Sequence, residues 1–242
     1  MTVSLRNVDQ FHDILKNYAP SERAIESIRS IPMAVFTGVS GAGRNTIINH
    51  LAETGRYHFV VSDTTRPPKV RDGQLEQNGV QYYFRDEDAV LEDLKNGEFL
   101  EAEVIHNQQV SGISIRELES GGKSGKILAT DVDVEGPANV LRAKPNARVF
   151  FIVPPNYEVW LKRLKARETM SPEELANRTN TAVRIIKTAL ANEDYIFVIN
   201  ESSVDSARMV DEQMVSGTID KQHDKEVREI ARNILTELEQ RS

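Results

Sequence analysis

The sequence predicts an α/β protein of three layers, a parallel sheet with helices on both faces. Two observations carry this. Five short runs, MAVFT (33–37), HFVVS (58–62), KILAT (126–130), RVFFIV (148–153) and YIFVI (195–199), are mostly apolar throughout rather than alternating, which predicts strands buried on both faces. Helical patterns at about 45–54, 86–96, 134–143, 156–168 and 172–192 lie between them, and strands alternating with helices build a parallel sheet. Ligands in such a sheet sit beyond the C-terminal ends of the strands.

Composition sets bounds. The chain has 242 residues, 28% charged and 39% apolar, enough for a core and one domain with additions. No stretch approaches the roughly 18 unbroken apolar residues of a membrane span, and MTVSLRNVDQFHDILKNY lacks a signal-peptide apolar run, so a cytoplasmic protein is expected. Cysteine is absent, which excludes disulfides and thiolate metal sites. The five histidines are scattered without metal-ligand spacing, and no protein-held metal site is expected. A net charge of −7 argues against a nucleic-acid partner but allows a small phosphorylated ligand bound by local arginines.

The two ends lie outside the alternating pattern. Val8, Phe11, Ile14, Leu15 and Tyr18 recur at helical intervals over 7–18, and a second helix is expected over 21–31. Val227, Ile230, Ala231, Ile234, Leu235 and Leu238 form a C-terminal apolar stripe. Both end helices either pack on the domain or make a dimer contact, so monomer and homodimer stay open. The stretch 211–224, DEQMVSGTIDKQHD, reads as a linker.

GVSGAGRNT (38–46) has the makings of a phosphate-binding loop. Such a loop needs inward-pointing backbone N–H groups and glycines that tolerate positive φ. It also needs a strand before it and a helix after it, whose N-terminus favours an anion. Gly38, Ser40, Gly41, Ala42 and Gly43 meet the first need, and MAVFT and NTIINHLAE the second. Arg44 stands where such loops carry lysine; it keeps the charge in a longer, planar form. Asn45 stands where a hydroxyl normally ligates magnesium, with Thr46 one residue later.

Further segments follow in order: VSDTTRPPK (61–69), Gly79 leading into VQYYF, NGEFLEAEV (96–104), KSGKILATDVDVEG (123–136), FFIVPP (150–155) and LKRLKARETMSPEELANR (161–178). Their order resembles the guanylate kinases, whose loop reads GPSGAGKST and agrees in six of nine letters. The resemblance runs over about 32–210. It implies a three-layer parallel-sheet P-loop NTPase fold with a small GMP-binding lobe (about 63–122) and a helical lid (about 161–185). It makes 1–31 an N-terminal helical extension and 211–242 a linker and C-terminal helix.

The resemblance also implies roles. Ser62, Glu101 and Asp133, with Asp131 beside it and Ser114 as the nearest match for a further hydroxyl, would hold the guanine base. Arg66, Lys69 and Tyr82 would grip the GMP phosphate. Gly38 to Thr46 would bind ATP, together with Arg163, Arg167 and Arg178 of the lid. Arg44, Arg66, Arg163 and Arg167 would stabilise charge during transfer, with Mg2+ arriving on ATP. The implied activity is phosphoryl transfer from ATP to GMP or dGMP, slowed by Arg44 and Asn45.

Several positions depart from the family pattern. Lys69 replaces arginine, and about four extra residues between Lys69 and Gly79 suggest a longer loop. EAEVIHNQQVSGIS lacks the family's second phosphate-binding tyrosine, Glu135 replaces a glutamine, and Glu168 replaces the lid glycine. Two other readings stay open: an inactive binding module, favoured by Arg44 and Asn45, and a kinase for another nucleoside monophosphate, favoured by the altered 101–114. Taken singly, the same residues also have ordinary explanations. Asp131 and Asp133 could cap a helix, and the lid arginines could be surface partners of acids one turn away.

Overall fold

The computed structural model describes residues 5–71, 73–133, 136–166 and 170–241. These divide into two compact units. Unit 1 comprises residues 1–32, 58–128 and 138–146; unit 2 comprises 33–57, 129–137 and 147–242.

The parallel sheet is built from β1 (Met33–Gly38), β2 (Tyr57–Phe59), β9 (Ile127–Asp131), β10 (Arg148–Val153) and β11 (Tyr195–Ile199), in the order β11-β10-β1-β9-β2. The unit boundary runs through β2 and β9. All six residues of β1 are buried, as are five of six in β10, as expected of strands covered on both faces. β1 pairs in parallel with β10, and β10 with β11, so their C-terminal ends share one edge of the sheet.

Unit 2 also contains α3 (Arg44–Glu53), α7 (Tyr157–Lys165), α8 (Pro172–Leu190), α9 (Ser203–Ser216) and α10 (Lys221–Gln240). Their starts follow capping chemistry: Asn156, Ser171, Ser202 and Asp220 each accept a backbone N–H in the first turn, and Pro172 opens α8. The segment expected to be a linker, 211–224, is mostly helical, because α9 runs on to Ser216 and ends at Gly217 with φ of 77°. Only 217–220 separate it from α10. Val227, Ala231, Ile234 and Leu238 of α10 are buried, so the C-terminal stripe packs within unit 2.

Unit 1 carries a second sheet in the order β6-β3-β8-β7, from β3 (Asp63–Thr64), β6 (Tyr83–Phe84), β7 (Phe99–Ile105) and β8 (Gln109–Ser114). The run HFVVS forms a strand only to Phe59. The Val61 N–H donates to the Glu117 carboxylate at 3.2 Å instead of joining a ladder, and the chain then enters β3. β7 and β8 form a hairpin with Ile105 paired to Gln109; the three-residue connection turns at His106 and Asn107, both with left-handed φ (52° and 56°), and the Gln108 N–H donates to the Ile105 carbonyl at 3.0 Å. The extra residues after Lys69 form a short hairpin, β4 (Val70–Arg71) with β5 (Gln74–Leu75), rather than an open loop.

The N-terminal extension belongs to unit 1. α1 (Val8–Leu15) sends Phe11 into a cluster with Val90, Leu91 and Leu94 of α4 (Glu87–Lys95), Phe99 of β7 and Val110 of β8. α2 (Glu22–Ile28) packs near β7 and against α5 (Ile115–Lys123). The last element, α6 (Gly136–Ala143), follows β9. No helix among the described residues is long and apolar enough to cross a membrane.

Candidate functional site

In unit 2 the chain leaves β1 at Gly38 and enters α3 at Arg44 through a loop fixed by its backbone. Gly38 has φ of 148°, and a Cβ there would lie 2.6 Å from the Ile152 carbonyl oxygen of β10. Gly43, the N-cap of α3, has φ of 93°, and a Cβ there would overlap the Asn200 side-chain amide. Neither position admits a side chain without rearrangement.

Two buried side chains hold this loop. Trp160 of α7 donates its indole N–H to the Ser40 carbonyl at 2.9 Å. Asn200, at the end of β11, donates its amide to the Ala42 carbonyl at 2.7 Å. Arg163, one turn past Trp160, donates to the Asn200 carbonyl at 3.0 Å, and its Nη1 is buried with no hydrogen-bond partner among the described residues. A buried guanidinium nitrogen left in this state favours an anionic acceptor. Arg44 pairs with Asp131 at 2.7 Å and donates to the Val132 carbonyl at 3.2 Å. Asn45 and Thr46 are exposed in the first turn of α3, and Asp133 is exposed before α6. Arg178 is exposed on α8 and pairs with Glu174, one turn earlier, at 3.7 Å. Arg167, Glu168 and Glu135 lie outside the described residues.

Unit 1 brings Arg66 and Tyr82 together beside Glu76, to which Lys69 donates its backbone N–H. Arg66 is buried and forms two hydrogen bonds with Glu76, at 2.6 and 3.0 Å, and one with the Pro67 carbonyl at 2.9 Å. Its guanidinium lies 4.7 Å from the centre of the Tyr82 ring. Donating to the Glu76 carboxylate raises its pKa further. Glu76 also accepts the Lys69 N–H at 2.9 Å, while the Lys69 side chain is exposed. Glu76 sits within the segment that reads as an insertion, which is why residue pattern alone passes over it.

The remaining residues on this side occupy β3, β7 and β8. The Ser62 carbonyl accepts the Tyr83 N–H at 2.9 Å. Thr64 and Thr65 are tied to β8 through the Ser111 hydroxyl and the Val110 N–H, both at 2.9 Å. Glu101 is half-buried on β7. Ser114 starts α5 without a side-chain cap bond, and its buried hydroxyl has no partner among the described residues. Beside them lie two carboxylates that no motif marks. Asp63 is buried between Arg85 and Arg116, at 2.8 and 3.0 Å; burial pushes its pKa up and the two arginines pull it back. Glu117 is buried against His58 at 2.8 Å and accepts the Tyr83 hydroxyl at 3.1 Å. Their partners lie tens of residues away in sequence, so neither cluster could be found by spacing.

Comparison with known proteins gives one consistent result. The family model "Guanylate kinase" matches residues 31–216. The chain is 34% identical to guanylate kinase of Helicobacter pylori over 179 residues, covering 74% of this chain and 84% of that protein. It is 33% identical to guanylate kinase 1 of Arabidopsis thaliana over 160 residues, spanning only 40% of that longer relative. Among solved structures, guanylate kinase from Anaplasma phagocytophilum superposes with a TM-score of 0.56 at 23% identity, covering 80% of this chain and 89% of that one, a likeness of fold. The chain belongs to the guanylate kinase family.

Proposed function

We propose that this protein transfers the γ-phosphoryl group of ATP to GMP or dGMP, with a GMP lobe at about 63–122 and a lid at about 161–185. The observation that carries the reading is the loop at 38–43. Gly38 and Gly43 take conformations that other residues rarely adopt, two buried side chains brace the loop, and Arg163 beside it has a buried donor without a partner among the described residues. A strand-to-helix turn built this way presents backbone N–H groups to phosphate.

The loop backbone and Arg44 bind the ATP phosphates, with Arg163, Arg167 and Arg178 taking further charge. Arg44 gives up part of its pairing with Asp131 as phosphate arrives, which slows the enzyme relative to a lysine in that place. In unit 1, Glu76 orients the Arg66 guanidinium, and Arg66, Lys69 and Tyr82 grip the GMP phosphate. Glu101 accepts from N1–H and the 2-amino group of guanine, and Ser62 and Ser114 complete the base site within this unit. A GMP phosphate oxygen attacks the γ-phosphorus in line, and the bond to the ADP oxygen breaks. The phosphate is already ionised, so no general base is required.

The exposed Asn45 amide and Thr46 hydroxyl are oxygen donors of the kind that suits Mg2+, so these residues fit a magnesium ion carried in on ATP. Magnesium supplies charge neutralisation on the ATP phosphates. The nucleotide substrates are those of cytoplasmic purine metabolism.

A second reading, a binding module without turnover, is favoured by one observation: Arg44 and Arg66 are both already ion-paired. A coupled assay with ATP and each of GMP, dGMP, AMP and UMP separates the two. ADP release that depends on GMP or dGMP, and rises in Arg44→Lys, is expected. No turnover in either variant alongside micromolar GMP binding would establish the module instead.

A further inference from the structure

The strand that carries Glu101 is the edge of its sheet, since β7 is last in the order β6-β3-β8-β7. An edge strand presents backbone N–H and C=O groups with no neighbour, and its register is correspondingly soft. β7 is also irregular where it matters: its pairing with β8 shifts between Phe99 and Glu101. A hydrogen bond from outside the sheet at that point restrains the strand that carries Glu101.

Tyr18 supplies it. Its hydroxyl donates to the Phe99 carbonyl at 2.8 Å and accepts the Phe99 N–H at 2.9 Å, so one side chain satisfies both backbone groups of the residue at the shift. Burial pushes the Tyr18 pKa up to about 12, so the donated proton stays in place at ordinary pH. The same extension also holds the chain at both ends of the strand. His12 bonds Asn107 in the hairpin turn at 2.8 Å, the Ser21 N–H donates to the Gly97 carbonyl at 3.0 Å, and Arg23 pairs with Glu98. A cavity of about 120 Å3 lies beside this seam, with Leu15, Tyr18 and Ile25 on the extension side and Leu100, Glu101 and Arg142 among its other lining residues. The matched family segment begins at residue 31, so this clamp is an addition to the family domain.

We propose that Tyr18 is a positioning residue for Glu101, fixing the edge strand so that its carboxylate discriminates guanine from a base without the 2-amino group. The inference rests on the reading of Glu101 as the acceptor for guanine. Two N–H groups converge on that carboxylate in GMP and only one in IMP, so its placement sets the GMP-to-IMP preference.

The test compares kcat and KM for GMP, IMP and ATP in the natural protein, Tyr18→Phe, Arg23→Ala and Glu101→Gln. Glu101→Gln should collapse the GMP-to-IMP ratio of kcat/KM; if it does not, Glu101 does not read the base and the inference falls with that reading. With that control in place, Tyr18→Phe should lower the ratio about fivefold through KM for GMP, the effect of loosening one hydrogen-bonded anchor. KM for ATP and kcat should hold. An unchanged ratio, or a parallel loss in kcat and every KM, overturns the proposal. Should Tyr18→Phe fail to fold, Arg23→Ala decides: it frees the same corner from an exposed position and should lower the ratio about twofold, whereas no change overturns the proposal.

Discussion

Around the loop at 38–43 the backbone carries the architecture: glycines pass where no Cβ fits, and neutral donors from Trp160 and Asn200 hold the carbonyls. In unit 1, by contrast, side chains hold one another, two of the three clusters by opposite charge. Arg66 is fixed by Glu76, Asp63 by Arg85 and Arg116, and Glu117 by His58 and Tyr83. A backbone cradle is rigid before any ligand arrives and can accept an anion without breaking a bond. A paired cation has to share its fork with a newcomer. The first arrangement suits a phosphate chain common to many nucleotides, and the second suits a site that must sort one ligand from similar ones.

The contrast breaks most sharply at Glu76. Both members of the Arg66–Glu76 pair are buried, at 7% and 2% side-chain exposure. Glu76→Ala strands the guanidinium and should cost about 3 kcal/mol or more in chemical denaturation, because the cost of an uncompensated buried charge exceeds the worth of the pair itself. Glu76→Gln keeps the shape and hydrogen-bond acceptor, and should recover part of that loss. Equal stability of all three proteins would show that the pair is solvated in solution.

The corresponding break in the loop is Gly43→Ala. The added methyl must displace Asn200, and with it the carbonyl of Ala42. A misplacement of this size in a phosphate cradle should lower kcat/KM for ATP by about 100-fold while GMP binding holds. Calorimetric titration with each nucleotide separately checks the split. A variant that loses both ligands equally would show that the loop serves unit 2's folding more than ATP.

Arg178 sharpens the comparison at smaller scale. It lies on the surface with a partner one turn away, so Arg178→Ala should change stability by less than about 0.5 kcal/mol. As a lid residue it should nonetheless count in turnover, and kcat is expected to fall about tenfold, the loss of one charge-stabilising contact in the transition state. An unaltered kcat would leave the side chain with its surface pairing alone.

The same contrast explains what could be read from the chain beforehand. β1, β10 and β11 were marked by unbroken apolar runs and by little else, and they fall within a residue of their expected bounds. The loop was visible because glycine spacing between a strand and a helix is a local signal. The run HFVVS predicts a strand to residue 62 while β2 ends at Phe59, because Val60 and Val61 are buried without being in a ladder, and an apolar run alone cannot tell the two apart. Glu76, Asp63 and Glu117 were missed because a carboxylate's partner is chosen by the fold: Asp63 meets Arg116 across 53 residues of chain. The clamp from Tyr18 to Phe99 spans 81 residues, and the period that revealed the helix said only that Tyr18 faces inward.

Lys144 is where the two means of holding charge meet. It lies in unit 1, 2% exposed, and among the described residues its ammonium bonds no carboxylate. It donates to the carbonyls of Ile28 and Arg29, at 2.7 and 3.2 Å, and to the Asn146 side chain at 3.1 Å, closing the C-terminal end of α2 with a cation as the loop is closed by neutral donors. Burial lowers its pKa to about 8, against 10.5 when exposed. The folded protein therefore holds this proton less tightly than the unfolded chain. Below pH 8 both states are protonated and the burial cost is present in full; from pH 8 towards 10 the folded state releases the proton first, and stability rises with pH. Above pH 10 tyrosines reverse the trend, since Tyr18 keeps its proton to about 12 while unfolded tyrosine loses it near 10. Denaturation at pH 8, 9 and 10 should show an upward slope in the natural protein and a flatter one in Lys144→Met. A flat profile in both would mean that three carbonyl oxygens solvate the ammonium as well as water does, and that neutral dipoles alone suffice to hold a buried charge in this unit too.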